Sequence, residues 1–151
     1  MKRWQKSLFV MLISFGSLGL FFQFTELGVN RTKSLPYQYF LIVKGLSFEK
    51  GDLLSIRGHQ AKYIGDLNLI KRVVGVAGDE IEPLLVGLKN QTKKGEPLTP
   101  LAIKVIPEGY VFVNADHKHS YDSRYEEFGL VSVDTIKGRA FPFFGRIHDE
   151  K

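Results

Sequence analysis

Residues 8–24, LFVMLISFGSLGLFFQF, form a run of seventeen without a single charge, and no other feature narrows so far what the chain can fold into. As an α-helix rising about 1.5 Å per residue the run reaches about 25 Å. That is close to a hydrocarbon thickness of about 30 Å, with Trp4, Lys6 and Gln23 available for the two interfaces. Lys2, Arg3 and Lys6 come first and the earliest acidic residue is Glu26, a charge order that keeps the N-terminus cytoplasmic. The rest of the chain then lies on the far side, which for a bacterial inner membrane is the periplasm. A cleaved secretory signal shares the basic and apolar regions but ends in a small-x-small cut site. No alanine precedes Ala61, and Ser17-Leu18-Gly19 lies inside the apolar run, so the pattern favours an uncleaved anchor. The expected division is a cytoplasmic N-terminus and transmembrane anchor over 1–26 and a periplasmic domain over 27–151.

Composition removes several classes of function. With 44% hydrophobic residues, twelve Phe and six Tyr, the chain can bury a core and is not a disordered scaffold. The absence of cysteine excludes disulfides, cysteine-zinc sites and a thiol nucleophile. The net charge is +5, but taking Lys2, Arg3 and Lys6 from the 21 basic residues leaves 18 against 16 acidic ones. Without a dense basic stripe this is a poor footprint for a phosphate backbone, and no nucleic-acid partner is expected. His117 and His119, near Asp116, lack a clear third ligand. Neither a metal nor another cofactor is expected.

Beyond the anchor no segment of ten or more residues shows helical periodicity, whereas short runs rich in Val, Ile, Tyr and Phe alternate with Gly, Pro, Asn and Asp. The domain therefore reads as mainly β and antiparallel. Strands are predicted at 39–43, 53–57, 67–76, 80–85, 102–105, 110–114 and 136–144, with turns at Glu49-Lys50-Gly51-Asp52, Ala77-Gly78-Asp79 and Pro107-Glu108-Gly109. The polar stretch 89–99 reads as an exposed hairpin or loop, and 117–128 as a second long connection. Tyr37, Tyr39, Phe40 and the run Phe141-Pro142-Phe143-Phe144 suit a core, or a lipid interface if they cluster at one end of the domain.

Three separated segments carry side chains capable of chemistry: Asn30-Arg31-Thr32-Lys33-Ser34-Leu35-Pro36, Lys71-Arg72-Val73-Val74-Gly75-Val76-Ala77-Gly78-Asp79, and Ser120-Tyr121-Asp122-Ser123-Arg124. Each has a plain structural reading. Ser34 precedes Leu-Pro and suits a turn, Lys71 is a strand lysine able to snorkel, and Asp122 with Arg124 makes an ordinary surface ion pair. Lys71 fits its plain reading worst. Strand alternation puts it on one face with Leu69 and Val73, while Ile70 and Val74 occupy the other. Burial beside apolar groups disfavours the ammonium and lowers its pKa, which is what a lysine needs to take a proton from a serine near neutral pH. A Ser–Lys pair is one variant of the serine-nucleophile arrangement.

In these motifs the sequence resembles the signal peptidase I family of membrane-anchored Ser–Lys serine peptidases. The resemblance runs from Asn30 to Ala140, in the order anchor, Ser-x-Pro, Lys-Arg-Val-Val-Gly-x-x-Gly-Asp, Ser-x-Asp-Ser-Arg and Gly138-Arg139-Ala140. It implies a signal-peptidase-like antiparallel β domain behind an N-terminal transmembrane helix, with Ser34 as nucleophile and Lys71 as general base. Thr32 matches the family's hydroxyl donor to the oxyanion hole, completed by the backbone N–H of Ser34. Ser120 matches the serine that orients the lysine, and Asp122 and Arg124 match a structural ion pair bracing that loop. Arg72, Gly78 and Asp79 read as scaffold.

Within the family the opening Asn30-x-Thr32-x-Ser34-x-Pro36-x-x-Tyr39 and the small size are most similar to the conjugative-transfer, TraF-type branch, which processes pilin subunits. Tyr37 and Gln38 stand where that branch tends to have Gly after the Pro, and Asn114-Ala115-Asp116 stands where leader peptidases carry Gly-Asp-Asn. The expected function is thus a serine endopeptidase acting on exported precursor proteins, most of all prepilin for conjugation or type IV secretion. Partners are then the precursor, the inner membrane and components of the transfer apparatus. The alternatives are a general leader peptidase and a non-catalytic assembly subunit of a transfer complex.

Overall fold

The computed structural model describes residues 2–30, 35–57, 59–66, 68–117 and 120–146. Its elements in chain order are a helix α1 (Arg3–Phe24) and strands β1 (Thr25–Val29), β2 (Tyr37–Val43), β3 (Leu53–Ile56), β4 (Gln60–Ala61), β5 (Gly65–Asp66), β6 (Leu69–Gly75), β7 (Tyr110–Asn114), β8 (Val131–Ser132) and β9 (Ile136–Arg146). Helix α1 is long and apolar enough to cross a membrane and buries none of its residues against the domain. Its hydroxyls are satisfied within the helix: Ser14 and Ser17 donate to the carbonyls of Val10 and Ile13 at 2.9 and 2.8 Å, as an apolar surrounding demands. The helix stops where sheet pairing takes over. Thr25 is already extended and pairs with Val43, and the Lys44 N–H donates to the Phe24 carbonyl at 2.9 Å.

The domain is built on a seven-stranded antiparallel sheet in the order β1-β2-β9-β3-β6-β7-β8, and β4 and β5 form a small ladder of their own. The last strand lies between β2 and β3, inside the sheet, whereas β1 forms one edge. Register shifts at Tyr39/Phe40, Ser55/Ile56 and Val73/Gly75 let the strands bend and twist. Gly138 marks the tightest approach, because a Cβ there would lie 2.3 Å from the Val43 carbonyl oxygen.

Strand β3 is buried on both faces and separates two cores. Leu54 and Ile56 join Val73, Val111, Val113, Phe128 and Val131, while Leu53 joins Leu35, Phe40, Ile42, Ala115 and Ala140. A third cluster of Ile81, Leu101, Ile106 and Phe112 covers the region near β7.

Two predicted strands are absent. Over 80–85 only Glu80 makes a bridge, to Val105, and Glu82–Leu84 form a 3-10 turn; Pro83 has no N–H to give a ladder and suits the first turn of a helix. The predicted strand at 102–105 is reduced to that one bridge. Conversely, β1, β4, β5 and β8 have no counterpart among the predicted strands. In β1 the alternation is limited to Leu27 and Val29, whose side chains are exposed, and β4, β5 and β8 have two residues each. The Ala77-Gly78-Asp79 turn forms as expected: Gly78 has φ +89° and the Asp79 carboxylate accepts from the Val76 N–H at 2.8 Å.

Candidate active site

Strand β6 alternates between half-buried and buried positions, and Lys71, Val73 and Gly75 point inward. Lys71 is paired in register with Leu54 on β3, so a cation sits where the sheet otherwise presents aliphatic side chains. It is 5% exposed. Its Nζ donates to the Ser120 Oγ and to the Tyr121 carbonyl, both at 2.8 Å, and lies 5.7 Å from the centre of the Phe128 ring. Burial lowers its pKa from the usual 10.5 to about 8; the nearby Asp122 carboxylate opposes that shift and Arg124 adds to it.

The segment that meets Lys71 is itself held from within. Asp122 and Arg124 form a two-pronged ion pair at 2.7 and 2.9 Å with both side chains buried. The plain reading of a surface pair does not hold. Arg124 also donates to the Ser120 carbonyl at 3.2 Å and to the Val86 carbonyl at 2.9 Å. The Asp122 hydrogen bond is the first cause that raises the Arg124 pKa. Between them Ser123 exchanges backbone and side-chain bonds with Val113 of β7 at 3.1 Å, which docks the loop onto the sheet.

Arg72 points to the opposite face of β6. It makes a two-pronged bond to Asp116 at 2.9 Å and donates to the Gly51 carbonyl at 2.8 Å. In the sequence Asp116 stands out beside His117 and His119 and as part of a departure from the family pattern, and neither signals its partner Arg72 on β6.

Thr32 and Ser34 lie outside the described residues, as does His119. The chain on either side is well placed. Leu35 is buried in the core beside Phe40 and Leu53. The Asn30 N–H donates to the Gln38 carbonyl at 2.8 Å, and its side-chain amide donates to the carbonyls of Leu35 and Tyr37 at 3.4 and 3.3 Å. Among the described residues no three His, Cys, Asp or Glu side chains gather where a metal ion would be held.

Three neighbours of the Lys71 pocket come from outside the motifs or from unmarked positions within them. Phe128 underlies the ammonium, Tyr121 packs edge-on against Phe128 at 5.3 Å, and His59 packs against Phe128 in a tilted arrangement at 4.6 Å. Aromatic residues in the long connection are the available hint for the first two. His59 stands on a different connection and belongs to no motif.

With this geometry in view, the chain was compared with known proteins. The family model described as signal peptidase, peptidase S26, matches residues 1–144. A search of curated proteins returned no match.

Proposed function

The chain belongs to the signal peptidase S26 family, and from that premise we propose that it is a membrane-anchored serine endopeptidase in which Ser34 and Lys71 act as a dyad on exported precursor proteins. The observation that carries the reading is the state of Lys71: buried, shifted to about 8, and bonded to Ser120 and Tyr121. A neutral lysine amine has two N–H donors and one lone pair. The Ser120 hydroxyl and the Tyr121 carbonyl take the two donors, which leaves the lone pair for the Ser34 hydroxyl proton.

In this mechanism Ser34 Oγ attacks the scissile carbonyl as Lys71 Nζ accepts its proton. The oxyanion that forms is held by the Ser34 N–H and the Thr32 hydroxyl. Lys71 then returns the proton to the leaving amine, and water, activated by the same lysine, resolves the acyl-enzyme. Ser120 orients the lysine, and the Asp122–Arg124 pair braces the Ser120 carbonyl. No metal or other cofactor takes part.

The substrate joins as an extended strand. Strand β6 pairs with β3 from Leu69 onward but meets β7 only from Arg72, so the main chain ahead of Lys71 has an edge to offer. Helix α1 serves as the anchor, with Lys2, Arg3 and Lys6 holding the N-terminus on the cytoplasmic side and the domain in the periplasm. Leu27, Val29, Tyr39, Phe141 and Phe143 are exposed on strands that come directly after α1 or pair with β1 and β2, and they rest the domain against the lipid interface.

For the substrate, the Asn30-x-Thr32-x-Ser34-x-Pro36-x-x-Tyr39 pattern and the small size favour prepilin of a conjugative or type IV secretion apparatus. Incubating the detergent-purified protein, Ser34→Ala and Lys71→Ala with the pilin precursor from neighbouring genes, and reading intact masses, tests this. Processing by the wild type alone establishes the dyad, and a product lighter than its linear form by one water shows ring closure. Equal processing by all three removes the dyad. Cleavage of general leader peptides with the pilin precursor left intact moves the enzyme to the general signal peptidases.

A further inference from the structure

The connection between β3 and β6 carries the β4–β5 ladder, and two of its aromatic rings reach Tyr121 and Phe128, two of the residues that contact Lys71. His59 packs against Phe128 with ring centres 4.6 Å apart and planes tilted by 47°, and Tyr63 packs against Tyr121 at 5.5 Å with a tilt of 41°. His59 is 7% exposed and its Nε2 lies 2.9 Å from the Phe128 carbonyl. The connection is pinned on its outer side, where the Tyr63 hydroxyl donates to the Pro97 carbonyl at 2.7 Å and the Lys62 N–H to the Glu127 carbonyl at 2.9 Å.

We propose that His59 is a positioning residue for Lys71, acting through Phe128: its ring and its hydrogen bond fix the phenyl ring that closes the dry side of the lysine pocket. This rests on the reading of Lys71 as general base. Phe128 is fully buried between His59, Tyr121 and the Lys71 ammonium. With its carbonyl taken by His59 and its N–H by the Tyr125 carbonyl at 3.1 Å, its main chain is held at both polar groups. A neutral imidazole meets the need with Nε2 protonated, and burial, which lowers the His59 pKa, keeps it neutral.

The direction of the effect is set by whichever influence on Lys71 is larger. The charged groups acting on its ammonium are Asp122, which favours charge, and Arg124, which opposes it, but burial comes first. Releasing Phe128 removes some of the ring's attraction for the ammonium, which alone would lower the pKa. It also admits water, and hydration of a buried lysine is the stronger effect. The lysine pKa therefore moves up, and less neutral base is present at pH 7.

The test uses the full-length protein in detergent with lysine-selective 13C labelling, the Lys71 resonance being identified by its loss in Lys71→Met. In the wild type Lys71 is expected to titrate near 8. In His59→Ala the midpoint is expected to rise by about half a unit or more, and the acid limb of kcat/KM moves with it. Activity at pH 7 then falls about threefold while the alkaline plateau is kept. His59→Gln keeps a donor for the Phe128 carbonyl, and His59→Phe keeps an aromatic ring, so each is expected to shift less than His59→Ala. A Lys71 midpoint displaced by less than about 0.2 unit in His59→Ala overturns the role of His59 and leaves the dyad standing. A wild-type Lys71 that titrates at its ordinary 10.5 overturns both. Where His59→Ala is too unstable to hold a fold, His59→Leu, which fills the space but has neither donor nor aromatic ring, decides the matter on the same midpoint.

Discussion

Arg124 donates to the backbone carbonyl of Ser120 at 3.2 Å, so the residue whose hydroxyl meets Lys71 has its main chain held by a buried ion pair. The reach of that pair is what makes it more than a local contact. One arginine links the loop carrying Ser120 to the carbonyl of Val86, far away in sequence.

Breaking the pair from one side leaves a charge in the interior. Asp122→Asn or Asp122→Ala is expected to cost about 3–5 kcal/mol, read as a fall in the denaturation midpoint, together with loss of peptidase activity as Ser120 drifts from Lys71. Replacing both partners at once, Asp122→Leu with Arg124→Met, is expected to cost less than either single change. Equal or greater damage in the double variant would show that the other bonds of Arg124 matter more than its charge.

Lys71 links stability to pH with a sign opposite to that of a salt-bridged lysine. Its folded pKa is about 8 and its ordinary value 10.5, so between those limits the unfolded chain holds more protons than the folded one. Stability therefore rises with pH through that window, by about 3 kcal/mol at about 1.36 kcal/mol per unit. Below pH 8 both states are protonated and the penalty is full. Denaturation of the wild type across pH 7 to about 11 measures the slope, and Lys71→Met is expected to lack it. Over the same range kcat/KM is expected to rise through about pH 8, since only the neutral amine accepts a proton.

Gly138→Ala tests the close crossing of β9 over the end of β2. The added methyl would meet the Val43 carbonyl oxygen at 2.3 Å and its carbon at 2.8 Å, and main-chain atoms in the middle of a sheet cannot step aside. A loss of about 2–3 kcal/mol or more is expected from thermal unfolding. Gly28→Ala is the control, because the atom nearest its new methyl is the flexible end of Ile42 at 2.9 Å, and it should cost much less.

The exposed apolar side chains on the strands next to α1 predict how the domain sits if α1 spans the bilayer. In proteoliposomes containing a lipid with a photoactivatable acyl chain, label is expected on peptides containing Leu27, Val29, Phe141 and Phe143 as well as on α1. The polar stretch 89–98 should stay unlabelled. Label confined to α1 would mean that the domain stands clear of the bilayer and that those side chains serve another partner.

Much of the fold and part of the site are legible in the sequence, and the reason is locality. An uncharged run of seventeen residues states its own character, and Lys71 betrays itself because alternation along a strand is a property of neighbours two apart. Ser120, Asp122 and Arg124 can be tied to one another for the same reason. The strands predicted at 80–85 and 102–105 fail where Pro83 overrules a run of suitable side chains, and β1 escapes notice because its identity as a strand comes from pairing with β2 rather than from its own pattern.

By itself, then, the sequence determined the apolar helix, the mainly β character of the domain behind it, the membership signal carried by ordered motifs, and an inward-facing lysine. Only the tertiary structure decided how dry that lysine is and what surrounds it. Leu54 comes from β3, Phe128 from the connection before β8, and His59 from the connection between β3 and β6. Burial is a sum over groups brought together by the closed sheet. Since it is burial that lowers the pKa of Lys71, a local pattern can put the amine on the inner face but cannot specify its basicity.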